Sequence, residues 1–284
     1  MYHRGVEGSV LAALSTSVGA VITPFRVLVT HHSTIEAFVR RDIRGRYVTS
    51  ALGLSWALIQ PLVLLLLYTF IFAYVLKIRF GANGTTGSFA LYLFCGMLPW
   101  LAFADGISRA ASVIVEQTPL IKKVVFPSEI LPAYVVISAL VTEIAGLVIL
   151  LGAVGLFYRG LGWSMAVLPL VLALQFLFTL GVGWVLASLN VFLRDVGQVL
   201  GMVLTLWMFL TPIFYPADLM PKRYLWVLYL NPMYYVVQAY RDLILEQRAP
   251  VSPHLLVLGV VSTLSFVLGH WFFRRSKHAF VDVL

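Results

Sequence analysis

The stretch VTSALGLSWALIQPLVLLLLYTFIFAYVL, Val48 to Leu76, carries no charged side chain. A helix needs about 20 predominantly apolar residues to cross a bilayer, so this run alone moves the chain out of the soluble classes. Five further apolar blocks follow it. The spacing predicts an all-α membrane protein with six transmembrane helices, at Leu52–Leu76, Phe89–Val113, Pro132–Phe157, Met165–Phe192, Val196–Tyr215 and Leu255–Phe273. Composition agrees: 61% of residues are hydrophobic and 11% charged, against about 25% charged in soluble domains. The formal charge is +8. The basic residues cluster beside apolar blocks, where they set orientation and meet anionic headgroups rather than nucleic acid. The lone cysteine, Cys95, lies inside an apolar block, which excludes an intrachain disulfide and a cysteine-based metal site.

Lys and Arg predict the topology. Arg4, Arg26, Arg40, Arg41, Arg44, Arg46, Arg109, Lys122, Lys123, Arg194, Arg274, Arg275 and Lys277 fall on one set of connections. Lys77, Arg79, Arg159, Lys222, Arg223, Arg241 and Arg248 fall on the other. The positive-inside rule then puts both termini in the cytoplasm.

Three segments outside the spans carry the functional information. Residues 33–47 place Ile35, Phe38, Val39 and Ile43 on one apolar stripe, with Arg40, Arg41, Arg44 and Arg46 around it. Such a basic amphipathic helix lies in the membrane interface, either as a plain anchor or as a contact for a cytoplasmic partner; Ser33 or Thr34 can cap it. Residues 1–32 are unassigned. The loop from Glu116 to Pro132 predicts a short helical stub, with Thr118 as cap and Pro119 in its first turn. Leu120, Ile121, Val124 and Phe126 are apolar there and Lys122 and Lys123 are charged. A stub of two turns is unstable alone and needs a surface to dock on. Between the last two blocks, Asn231-Pro232 splits an aromatic stretch into halves too short to span, predicting two short outer re-entrant helices. Tyr224, Trp226, Tyr234 and Tyr235 there suit an interface belt or the exit of a pathway.

Within the spans, Glu143 is the outlier, since a carboxylate in hydrocarbon normally faces a partner or a polar cavity. Asp105 and Arg109 are spaced to pair on one helix face. There is no phosphate-binding G-x-x-x-x-G-K-[ST] loop, so ATP is not held in that way.

Several motifs occur in order: Arg44-Gly-Arg-Tyr47, Leu52-Gly-Leu-Ser-Trp56, Gly96-Met-Leu-Pro-Trp100, Leu120-Ile-Lys-Lys-Val-Val-Phe-Pro127, Leu189-Asn-Val-Phe-Leu-Arg-Asp-Val196, Thr211-Pro-Ile-Phe-Tyr215, Leu230-Asn-Pro232 and Ala239-Tyr-Arg241. From about Phe38 onward the chain resembles the membrane subunit of type-2 ABC exporters, in the branch exporting O-antigen, teichoic acid and related polysaccharides. Glu116-Gln-Thr-Pro119 departs from that family's pattern. The resemblance implies a homodimer in the bacterial cytoplasmic (inner) membrane, each subunit bound by a separate cytoplasmic P-loop ATPase. ATP and Mg would sit on that partner and no cofactor on this chain. It implies that Leu120–Phe126 is the helix that couples to the ATPase. The substrate implied is a polyprenyl-diphosphate-linked glycan, its diphosphate met by Arg40, Arg41, Arg44 and Arg46. Tyr68, Phe72, Trp100, Phe103 and Glu143 are the candidates for lining its path, with ordinary packing as the alternative for each. The rival readings are a type-2 exporter of a drug or small lipid, and a membrane glycosyl- or acyltransferase.

Overall fold

The structure is a computed structural model that describes residues 23–47, 55–75, 86–123, 126–157 and 162–283. After a short helical stretch at 23–30 the elements are α1 (His32–Tyr47), α2 (Trp56–Tyr68), α3 (Thr86–Glu116), α4 (Thr118–Lys123), α5 (Ile130–Phe157), α6 (Leu168–Phe192), α7 (Val196–Leu210), α8 (Leu225–Tyr229), α9 (Pro232–Ile244) and α10 (Ser252–Ser276). Met1–Ile22, residues 48–54 and Leu76, which include part of the first expected span and its Leu52-Gly-Leu motif, lie outside the described residues.

Six full spans were expected; the described residues contain four helices long and apolar enough to cross a membrane, Phe89–Glu116, Ile130–Leu156, Trp163–Phe192 and Ser252–Ala279. The chain is therefore a multi-pass membrane protein, but the expected first and fifth spans are shorter apolar helices, Leu58–Ile71 and Val196–Leu210. The first is seen only over residues 55–75, while the fifth has a local end. In α2, Pro61 has no N–H for the preceding turn, and the α-helix passes into a π-helical segment at Thr69–Val75. The 15 residues of α7 reach about 22 Å, short of a hydrocarbon core of about 30 Å. α7 stops because Thr211 precedes Pro212, which drives it to an extended backbone (φ −87°, ψ 133°).

α3 is the central helix: 78% of its most apolar window is buried, against 28% for α10. It packs on α5, α6 and α9, and α10 lies along α6. The α6–α10 crossing is close because it is built on small residues. A Cβ at Gly269 would strike the backbone of Gly181, and one at Gly181 would strike the backbone of Ser265. Without a hydrophobic drive between helices in lipid, such backbone-to-backbone packing is what holds spans together.

The bundle has two functional ends. α1, α4 and Lys277 at the foot of α10 share one end, where Lys277 Nζ donates to Glu129 Oε1 at 2.6 Å. α8 and α9 occupy the other end, where Ser164 Oγ, just before α6, donates to the carbonyl of Leu243 at 3.1 Å.

Candidate functional site

At the α1 end, the amphipathic stripe does not face lipid alone. Ile35 and Val39 are buried, and Phe38 stacks on Tyr134 of α5 at 5.2 Å between ring centroids. The same ring lies 6.5 Å from Phe126, just beyond the stub, so α1 grips both α5 and the α4 loop. On its polar side α1 completes an ion ring with α3. Asp42 Oδ1 accepts from Arg109 Nη2 at 2.5 Å, Arg46 Nη2 donates to Asp105 Oδ2 at 3.1 Å, and the i,i+4 pairs Asp42–Arg46 and Asp105–Arg109 close it at 3.4 Å each. Arg46, expected to meet the substrate's diphosphate, is thus engaged with two carboxylates, and Arg40 pairs with Glu36 at 2.6 Å. Arg41 and Arg44 are exposed and form no salt bridge among the described residues.

The stub α4 is six residues long. Thr118 does not cap it. The Thr118 hydroxyl donates back to Val115 O at 2.7 Å, and Gln117 O receives the first N–H groups, from Leu120 and Ile121. Leu120 and Ile121 are half-buried against the α1–α5 core, whereas Lys122 is exposed. Val124 and the side chain of Lys123 lie outside the described residues, as does the side chain of Phe72. Behind the stub, Glu129 ties the loop to two long helices, its carbonyl accepting from Trp184 Nε1 at 3.0 Å and its carboxylate from Lys277.

Glu143 lies buried at mid-helix in α5. Gln175 Nε2 of α6 donates to its Oε2 at 2.8 Å, and the Tyr240 hydroxyl of α9 approaches its Oε1 at 2.6 Å. The same hydroxyl is 2.8 Å from Gln175 Oε1. One phenol proton cannot serve two acceptors. The ring closes when a carboxyl proton is donated to the phenol oxygen and the phenol donates to Gln175. The triad fixes α9 to the middle of the bundle.

At the α9 end, motifs far apart in sequence converge. Asn231 caps α9, its Oδ1 accepting from Met233 N at 3.0 Å, while Pro232 takes the first helical position. Asn231 Oδ1 also accepts from Trp207 Nε1 and its Nδ2 donates to Thr211 Oγ1, both at 2.8 Å. Arg241, 1% exposed, donates to the carbonyls of Pro212 at 2.5 Å and Ile213 at 2.8 Å and stacks 3.5 Å from the centroid of Tyr92. Gly96 makes room for it: a Cβ there would come within 2.8 Å of Arg241 Nη2. The guanidinium is held by carbonyl dipoles and an aromatic face rather than by a carboxylate, for which its planar fork is suited. Its neighbour Asp242 pairs with Arg248 at 2.8 Å.

Of the expected path-lining residues with described side chains, Trp100 meets Phe103 and Tyr234 meets Tyr235, but these pairs lie apart in the bundle. Trp100 and Phe103 are buried within the chain, in a cluster with Phe178 and Trp207. Tyr68 is half-buried on α2, Tyr234 and Tyr235 are buried against His254, and Tyr224 and Trp226 are exposed. Sequence reasoning missed Gln175, Tyr240, Asn231 and Arg241 as a fixed framework. Gln175, an amide in the middle of the apolar α6, was the available signal.

Residues 33–245 match the ABC-2 type transporter membrane family. The chain is 29% identical over 261 residues to an O-antigen export system permease protein RfbA of Myxococcus xanthus, covering 90% of this chain and 97% of that one. It is 27% identical over 253 residues to an RfbA of Klebsiella pneumoniae, covering 88% and 94%. It is 23% identical over 249 residues to the polysialic acid transport protein KpsM of Escherichia coli, covering 87% and 94%. With the matched region running from α1 to the end of α9, the chain belongs to the ABC-2 type transporter family of membrane permeases.

Proposed function

We propose that this chain is the permease subunit of an exporter that carries a lipid-linked polysaccharide, of the O-antigen class, across the bacterial inner membrane. Two copies form the path, and each binds one cytoplasmic P-loop ATPase that holds ATP and Mg. The end bearing α1, α4 and Lys277 faces the cytoplasm. The observation that carries the reading is the stub: α4 presents an exposed Lys122 while Leu120, Ile121 and Phe126 root it in the α1–α5 core. A push on it is delivered directly to α1 and, through Glu129, to α6 and α10. The names of the relatives support the polysaccharide class. Exposed Tyr224 and Trp226 near α8 serve the exit, while Trp100 and Phe103 act by holding the core.

The test is complementation of a strain lacking the gene. Wild-type chain restores surface polysaccharide; Lys122→Glu, at equal membrane abundance, does not and no longer carries an ATPase through purification. Full export by that variant would overturn the coupling assignment. Unchanged surface polysaccharide in the deletion strain, with loss of export of a small lipid or drug, would replace the substrate class.

A further inference from the structure

Two cavities share Arg46. The first, about 300 Å³, lies at the α1 end and is lined by Phe38, Arg41, Asp42, Arg46, Gln117 and Tyr134 among others. The second, about 510 Å³, runs from Arg46 and Asp105 between α2, α3 and α5 as far as Glu143. We propose that together they form one site for an anionic phospholipid of the leaflet nearest α1. Its phosphate sits in the first cavity and one acyl chain fills the second.

The second cavity calls for hydrocarbon. Its walls include Trp56, Pro61, Leu64, Leu67, Leu98 and Leu101. The polar residues at its deep end ask nothing of a ligand. Both carboxyl oxygens of Glu143 are held by Gln175 and Tyr240, and Thr142 Oγ1 donates to Ser138 O at 3.2 Å. Its length also fits. From Trp56 to Leu67 the α2 wall rises about 16 Å at 1.5 Å per residue, about half of the 30 Å hydrocarbon core and so the reach of one leaflet. A longer prenyl chain would overrun the end at Glu143.

The mouth calls for an anion. The ring of Asp42, Arg46, Asp105 and Arg109 balances its own charge. Arg41, in the first cavity, and Arg44, on the same helix, add positive charge and form no salt bridge among the described residues. The Gln117 amide and the Tyr134 hydroxyl supply neutral donors beside it. Phosphate oxygens there and a chain in the slot are joined past Arg46, the residue common to both. The site lies within one chain and is independent of what the transporter exports.

The experiment reconstitutes the full chain in nanodiscs of phosphatidylethanolamine and phosphatidylglycerol in equal parts, then reads bound lipid by native mass spectrometry. Wild type is expected to retain one phosphatidylglycerol per chain. Arg41→Glu should reduce the preference for phosphatidylglycerol over phosphatidylethanolamine about thirtyfold, two charge units near the surface. Ala102→Phe, which fills the slot, should lose the lipid. Val63→Trp, at an exposed rim position, should also lose it and serves if Ala102→Phe does not fold. No retained lipid in wild type, or equal retention in the slot variants, overturns the proposal. Preferential retention of added undecaprenyl phosphate would assign the slot to a carrier lipid instead. Displacement of phosphatidylglycerol by inorganic phosphate would reduce the site to its polar half.

Discussion

Replacing Tyr240 with Phe removes one oxygen from the triad that holds α9 in the bundle. Tyr240 and Gln175 are fully buried and Glu143 is 3% exposed, so no solvent fills the gap. The lost hydroxyl served Glu143 Oε1 at 2.6 Å and Gln175 Oε1 at 2.8 Å. Leaving buried polar atoms unpaired costs about 1–3 kcal/mol. Tyr240→Phe should therefore lower stability by that amount, measured by reversible unfolding in mixed detergent. Glu143→Gln keeps an N–H for the phenol oxygen and a carbonyl for Gln175, so it should cost less than about 1 kcal/mol. Glu143→Leu should cost more, and combined with Tyr240→Phe should fall short of the sum by at least about 0.5 kcal/mol, as contacting residues do. Additive costs in that cycle, or a Glu143→Gln variant as unstable as Glu143→Leu, would refute the triad.

Arg241→Ala should cost about 2–4 kcal/mol by stripping charged donors from Pro212 and Ile213. Arg241→Lys should not restore it, since one ammonium cannot both fork to two carbonyls and stack on Tyr92; thermal unfolding of both variants checks this. Gly269→Leu should cost at least about 3 kcal/mol or abolish folding, because the obstacle is the backbone of Gly181. Gly259→Leu on the same helix, with nothing within 4 Å, should be tolerated; expression and unfolding of the pair decide it. Asp42→Arg should weaken the α1–α3 contact by about 1 kcal/mol, and the swap Asp42→Arg with Arg109→Asp should recover part of it, read by protease protection of α1.

The apolar blocks were legible because hydropathy reports on length and composition directly. The shortness of α7 was not, since Thr211-Pro-Ile-Phe-Tyr215 stays apolar past the point where Pro212 ends the helix. The break at Asn231-Pro232 was legible from the proline; the cap, and the hydrogen bonds that Trp207 and Thr211 add to it, were not. Arg46 read as a free interfacial cation although Asp42 stands four residues before it; its other partner, Asp105, is 59 residues away, beyond any local pattern. Trp100 and Phe103 could equally line a path or fill a core, since an aromatic ring suits both; their burial beside Phe178 and Trp207 was not visible in the sequence. Glu143 was visible as an outlier, but Tyr240 stands 97 residues from it and only the fold joins them.

The account rests on α4 as the point where an ATPase drives the permease. The only native cysteine, Cys95, is buried at 0% exposure, so a cysteine placed at exposed Lys122 is the one reachable thiol. Membranes carrying Lys122→Cys, treated with a thiol-reactive photocrosslinker, should give one dominant adduct containing a P-loop ATPase, lost when that ATPase is deleted. Labelling of the cysteine in intact membranes without any ATPase adduct would contradict the central claim.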